Sequence, residues 1–306
     1  MNKKSVQYCG ITLVIITVLS FGAYIGAYIH TERSVKENIS LRSPMHRALF
    51  MQKEFFEKAY TKAFPVRSFN GIVRGGLVNH HLLSLRTIAE VFYHFRTDKA
   101  ITVVLLSPDH FFAGRGPITT TPYSWKTPYG VLAADTDTIA SLAQENFVTI
   151  DPLPFDHEHG VSGIVPFIKK EMPQARIIPI IFKDTVSIER AREFARNIAP
   201  LLPKDGVVIA SLDFSHNAPS SVAEQRDKVS KKVIQGFEYN HINEVSVDSK
   251  PALAVLMQIM DKGGARDFIL FENTNSAKLI GKDVLDATSY ITGVFVRSEP
   301  PPTPSL

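Results

Sequence analysis

Residues 101–114 read "ITVVLLSPDHFFAG". A continuous apolar, β-branched run bounded by polar residues is the pattern of a strand buried on both faces, as in a parallel sheet covered by helices. The run ends in a proline, an acid and a histidine where an ordinary turn would do. Pro108 is expected to stop the ladder and release His110 over the edge of the sheet.

Outward from this stretch the same alternation recurs. "GIVRGGLV" (71–78), "ARIIPIIF" (175–182), "GVVIASL" (206–212), "RDFILFE" (266–272) and "TSYITGVFV" (288–296) are strand-like. Between them, "LLSLRTIAEVFYHF", "TDTIASLAQENF" after Asp135, "GVSGIVPFIKKEM", "SIERAREFARNIAPLL", "SVAEQRDKVSKKVIQGF" and "KPALAVLMQIMDKG" have helical spacing. Strands separated by helices imply βαβ units, so the expected fold is α/β: a mostly parallel sheet covered by helices on both faces. "PMHRALFMQKEFFEKAYTKA" (44–63) also places apolar residues at helical spacing, with Ser43 as N-cap and Pro44 at the first position, and predicts a further helix packed on the domain.

The amino terminus is a different material. Cys9–Ile29 carries no charge, long enough for a helix to cross a bilayer, and Lys3 and Lys4 precede it. Residues 1–30 are expected to be a single-pass membrane anchor, with a cleaved signal peptide as the alternative. A polar stalk (31–43) follows, then the α/β domain (44–298) outside the cytoplasm, and a proline-rich tail (299–306) that cannot join a core. The only cysteine, Cys9, lies in the anchor, which excludes disulfides and thiolate metal sites from the domain. Of the net charge of +4 in 306 residues, half comes from Lys3, Lys4 and Arg33 against Glu32, leaving too little to argue for nucleic acid.

In open α/β sheets ligands bind beyond the carboxyl ends of the strands. Three such exits carry histidine: His80 and His81 after "GGLVN", His110 after "LLSPD", and His216 behind Asp213 in "ASLDFSH". A loop, "DHEHG", adds His157, Glu158 and His159, and for His157 a solvated polar loop is an equal reading. Neutral imidazoles suit divalent iron, copper or zinc, and two of them with one carboxylate leave positions open for other ligands. A histidine outside that set could move a proton near neutral pH, and Asp213 could fix a tautomer.

The ordered series "VNHHLL", "LLSPDHF.AG", "EHG....PF", "ASLDFSH" and "TSYITGVF", spanning roughly residues 70–297, resembles the MEMO-like family, known in bacteria as AmmeMemoRadiSam system protein B. The resemblance implies a fold similar to class III extradiol dioxygenases, which hold iron(II) through two histidines and a carboxylate. It matches His80 and His110 to the metal histidines, His216 to the acid/base histidine, Asp213 to the acidic position before it, and His159 to the "EHS" histidine. The chain departs from the pattern at several positions. Asn79 replaces a common proline. "VDSKPAL" puts Val247 where a cysteine is usual, with Asp248 beside it: either Asp248 restores a carboxylate ligand or the set of three is incomplete. Ser162 and Ile164 stand where the family has polar contacts.

Three functions follow as expectations. The first is an oxidoreductase on a small molecule, with iron(II) at His80, His110 and Asp248, or copper or zinc in its place. The second is a non-catalytic peptide- or ligand-binding protein on the same fold. The third is a zinc-dependent hydrolase with His216 as base. The expected topology has its own test. Protease added to intact cells should remove the domain, and protection until lysis would overturn this orientation.

Overall fold

A computed structural model of the chain describes residues 44–282 and 284–298. The stretch quoted above becomes β3 (Thr102–Pro108), buried at every position. It lies between β8 (Arg176–Phe182) and β9 (Val207–Ser211), parallel to both, with Val104 opposite Ile178 on one side and Val208 on the other. β9 pairs in parallel with β2 (Ile72–Val78), and β6 (Gly130–Ala134) in parallel with β8. Because side chains alternate across a strand, β3 feeds two cores. Val104 and Leu106 join Phe194, Leu256 and Phe295, while Val103 and Leu105 join Phe92, Phe167 and Trp125. Helices Thr136–Gln144, Ile188–Ile198, Ser220–Gly236 and Lys250–Lys262 supply the first core; Leu85–Tyr93 and Val165–Glu171 supply the second.

The sequence places several helix starts well. The Asp135 carboxylate accepts from Thr138 N–H at 3.3 Å, Ser187 from Arg190 at 3.2 Å and Ser249 from Ala252 at 3.3 Å. Each such cap is worth about 1 kcal/mol.

The sheet is mixed, which narrows the mostly parallel expectation. Parallel pairing holds at its centre and antiparallel pairing towards both sides. β12 (Ala287–Arg297) runs antiparallel to β2, β10 (Phe214–Ala218) and β11 (Asp267–Asn275). On the far side β5 (Ser124–Thr127) is antiparallel to β6, and β4 (Ile118–Thr120) pairs antiparallel with β8 and parallel with β7 (Thr149–Ile150). For β5 and β6 the reason is connection length. Only Pro128 and Tyr129 separate β5 from β6, enough for a hairpin and far too little for a parallel crossover. β4, β5 and β7 are short and carry no apolar run, and the apolar β6 is only five residues long, so periodicity does not announce them.

Two further expectations are corrected. Residues 44–63 are not one helix: β1 (Met45–Arg47) pairs in parallel with β5, and only Lys53–Glu57 is α-helical, followed by a 3₁₀ turn, Lys58–Tyr60. His46 overrides the helical spacing. Buried, it donates from Nδ1 to Asp156 Oδ1 at 2.7 Å and accepts at Nε2 from Thr121 Oγ1 at 2.9 Å. Burial pushes its pKa down, keeping the ring neutral in those roles despite Asp156. Nor does Pro108 stop the β3 ladder. Pro108 still lies opposite Phe182, and Asp109 N–H bonds the Phe182 carbonyl at 2.8 Å. Amide directions alternate along a strand, so the donor that Pro108 lacks would face β9, whose pairing with β3 has ended at Leu106. Asp109 closes the strand: its carboxylate accepts from Ala113 N–H at 3.0 Å and Gly114 N–H at 2.9 Å, folding the turn that carries His110.

Among the described residues no helix is long and apolar enough to cross a membrane. The expected anchor (1–30), stalk (31–43) and tail (299–306) lie outside the described residues.

His46→Ala should cost about 1–3 kcal/mol, because Thr121 and Asp156 lose a buried partner. At about 2–4 °C per kcal/mol, the melting temperature should fall measurably in a thermal scan. An unchanged melting temperature would show that β1 is not held by this residue.

Candidate metal centre

The parallel strands β2, β3 and β9 end at one edge, and their exits meet there. After β9 the Asp213 carboxylate turns back and accepts, at Oδ1, the backbone N–H of His80 at 3.0 Å and of His81 at 3.4 Å. This ties the β2 exit to the β9 exit, alongside Leu212 N–H to the Val78 carbonyl at 2.7 Å. A second segment then crosses the same edge. Phe214 bridges to Val247, Asp248 N–H bonds the Asp213 carbonyl at 3.0 Å, and Asp213 N–H bonds Asp248 Oδ2 at 2.9 Å. The non-regular stretch "VDS" before the helix Lys250–Lys262 therefore delivers a carboxylate to the sheet edge.

His80 is buried, with Nδ1 3.2 Å from Ser211 Oγ and Nε2 facing two carboxylates, 3.3 Å from Asp248 Oδ2 and 3.6 Å from Asp213 Oδ2. His110 Nε2 lies 3.8 Å from the same Asp248 oxygen. Two sets of potential ligand atoms each fall within 4.8 Å of one another: those of His80, His110 and His159, and those of His80, Asp213 and Asp248. His80 belongs to both, and Asp248 Oδ2 approaches both His80 and His110. His216, at 38% side-chain exposure, stands further out, with Nε2 3.9 Å from Asp213 Oδ2. Its neighbours Ser215 and Asn217 hold positive φ angles of 25° and 51°, which non-glycine residues rarely adopt. His157 belongs to neither set and lines a separate hollow with Phe111 and Leu153.

Glu158 is the residue that sequence reasoning passed over. Almost wholly buried, it accepts from His110 N–H at 3.0 Å, His110 Nδ1 at 2.7 Å and Gly160 N–H at 2.8 Å. Burial would raise its pKa, but bonds from His110 and the backbone hold it below the ordinary value, so it is a fixed anion that orients His110. The signal was present in "DHEHG", where an acid precedes a short helix at its N-cap position. Tyr290, in "TSYITGVF", fixes His81 through a 2.8 Å bond to Nδ1.

The charges interlock. Burial pushes the His110 pKa down, yet the Asp248 and Glu158 carboxylates overcome it and raise the pKa to about 10. His159, stacked on His110 at 4.1 Å between ring centroids, moves the other way. Burial first, then the neighbouring His110 and His80 charges, lower it to about 4, so it stays neutral near pH 7. The pit thus holds a positive charge between two carboxylates. Asp248 Oδ1 is buried with no hydrogen-bond partner, an unmet demand for a donor or a cation. The His/Asp cluster could hold a metal ion: the donors, oxygen and imidazole nitrogen, suit divalent iron, copper or zinc.

Residues 53–294 match the family model for Memo-like proteins, which is most of the chain. The chain belongs to the Memo-like family. A MEMO1 family protein of Ignicoccus hospitalis is 27% identical over 230 residues, 71% of this chain and 80% of the relative. A second, from Nitrosopumilus maritimus, is 25% identical over 200 residues, 62% of this chain and 70% of the relative. A third, from Methanosarcina barkeri, is 28% identical over 193 residues, 60% and 72%. A solved structure of an uncharacterized Escherichia coli K12 protein aligns with a TM-score of 0.49 at 12% identity, covering 73% of this chain and all of that one.

Within this Memo-like domain Gly160 replaces the serine of the "EHS" pattern, and packing shows why a side chain is excluded. A Cβ there would lie 2.1 Å from Ser107 Oγ and 3.3 Å from His80 Nδ1. Ser107 Oγ is itself buried without a partner. Gly160→Ala should therefore destabilise by about 1–3 kcal/mol through overpacking. Ser107→Ala alone should be neutral or stabilising, since it removes an unsatisfied hydroxyl. In the double mutant part of the alanine cost should disappear. Strict additivity in chemical denaturation would show that the two positions do not compete for space.

Proposed function

We propose that the domain binds one divalent cation through His80, His110 and Asp248, and acts as a metal-dependent, dioxygenase-like oxidoreductase on a small molecule. The observation that carries this reading is the Asp248 carboxylate. One oxygen faces His80 Nε2 and His110 Nε2 at 3.3 and 3.8 Å, and the other is buried with nothing to bind. A carboxylate at this position also makes good the missing cysteine of the family pattern. Iron(II) fits two histidines and a carboxylate best, with copper or zinc as alternatives; when bound, such an ion polarises whatever ligand takes its open positions.

The chain's own residues supply the remainder. Glu158 holds the His110 ring from behind, and Asp213 holds the His80 backbone from behind. His159, neutral near pH 7, is available to accept a hydrogen bond from a ligand at the mouth of the pit. His216, more exposed and close to Asp213, is placed to exchange a proton with solvent. Beside His80 and His159 lies a cleft of about 740 Å³ lined by Leu49, Phe50, Leu82 and Leu83, of a size for a small organic molecule. The same cleft favours a second reading, a peptide- or ligand-binding protein without turnover. The setting proposed for either is the outer face of a membrane, supported by the uncharged run Cys9–Ile29 behind Lys3 and Lys4.

Elemental analysis of anaerobically purified protein should find one equivalent of metal. His80→Ala and His110→Ala should abolish it without unfolding, and Asp248→Asn should weaken it. Glu158→Gln should lower affinity about 10–100-fold by releasing the His110 ring. His216→Ala should retain the metal and lose about 10²–10⁴-fold of any turnover. Absence of iron, copper and zinc binding at micromolar concentration under reducing conditions would leave the binding-protein reading in its place.

A further inference from the structure

At the opposite edge of the sheet, where β2, β3 and β9 begin, lies a second cavity of about 390 Å³. Its walls are apolar: Val104 and Val208 from the sheet, Leu202 from the segment before β9, and Ile259 and Met260 from the helix Lys250–Lys262. Among the described residues four cations line it, Arg74, Lys204, Lys262 and Arg297, and no carboxylate does. Among the described residues none of the four forms an ion pair, although the chain pairs many of its other surface charges.

Arg74 reaches the cavity through a backbone device. Phe295 of β12 pairs with Gly75 and Val296 with Val73, so Arg74 is the extra residue of a β-bulge with no partner across the ladder. Bulges re-aim a side chain, and here the bulge turns an arginine over the cavity. Its Nη1 is fixed by the Lys204 carbonyl at 3.0 Å, while its Nε is buried and has no acceptor. A buried guanidinium N–H without an acceptor, beside three more unpaired cations and above an apolar chamber, is a demand for an anion joined to an apolar body.

We propose that this cavity is a binding site for an amphiphilic anion, a carboxylate on a short alkyl chain. The carboxylate meets Arg74 and Arg297, and the chain lies against Val104, Val208, Ile259 and Met260. The volume is within the range of small-ligand pockets. The site is separate from the histidine cluster and does not depend on a metal there.

The test is calorimetric titration of the full chain in nanodiscs with octanoate, against empty nanodiscs as the blank and with octanol and octyltrimethylammonium as controls. Octanoate should bind saturably at one site, and the alcohol and the cation should not. From hexanoate to octanoate each methylene should tighten binding about fourfold. Arg74→Gln should weaken octanoate at least tenfold, and Met260→Trp, which fills the chamber, should abolish binding. Arg297→Gln gives an independent reading should Arg74→Gln fail to fold. His110→Ala should leave octanoate binding unchanged, because a carboxylate captured by a metal would instead be lost. Equal binding of all three head groups, insensitivity to the cavity variants, or loss in His110→Ala would each overturn the proposal.

Discussion

The candidate site depends on one carboxylate taking two backbone donors. Asp213 Oδ1 accepts the N–H groups of His80 and His81, and through that contact the end of β2 is pinned to the end of β9. Without it, the amides of His80 and His81, the second and third residues beyond β2, would lose their acceptor, and the His80 ring would be held by Ser211 alone. The same residue's main chain pairs with Asp248 in both directions, so the third chain segment is registered against the first two. Three distant parts of the sequence thus meet through hydrogen bonds to their main chains, and the candidate ligands stand on a scaffold already tied.

Such a pit is costly to build. Asp213, Asp248 and Glu158 are all withdrawn from water, and buried carboxylates are tolerated only when their charges are met. Glu158 is met by His110 and two amides. Asp248 is met on one oxygen only. The protonated His110 is therefore a partial answer to an excess of negative charge, and a divalent cation would be a fuller one. Metal uptake and proton release are two sides of the same compensation.

Much of this was legible in the sequence, and the reasons differ by element. β3, β8 and β9 were visible because strands buried on both faces must be continuously apolar, and the helices because a helix with one buried face repeats its apolar residues at helical spacing. The three histidine-bearing exits were visible because parallel strands all end on one side. β1 was misread because its apolar residues fall at helical spacing, while the deciding contacts of His46, with Thr121 and Asp156, are far away in sequence. Pro108 was given a role that belongs to Asp109, since a proline is a loud signal and a carboxylate folding its own turn is a quiet one. Glu158 was seen only as part of a polar loop. Its importance comes from burial, which no local pattern encodes, whereas Asp248 was found because it stands beside the position of an expected ligand.

β2 carries His80 just beyond one end and the bulged Arg74 near the other. They stand six positions apart on extended chain, about 20 Å. At that distance two unit charges in a protein environment influence each other by less than about 1 kcal/mol, and ions in solution reduce this further. The strand therefore acts as a spacer. A change in charge at the histidine end, whether by proton or by cation, is felt at the arginine end as a few-fold change in equilibrium at most, so the two ends can be tuned by mutation almost independently.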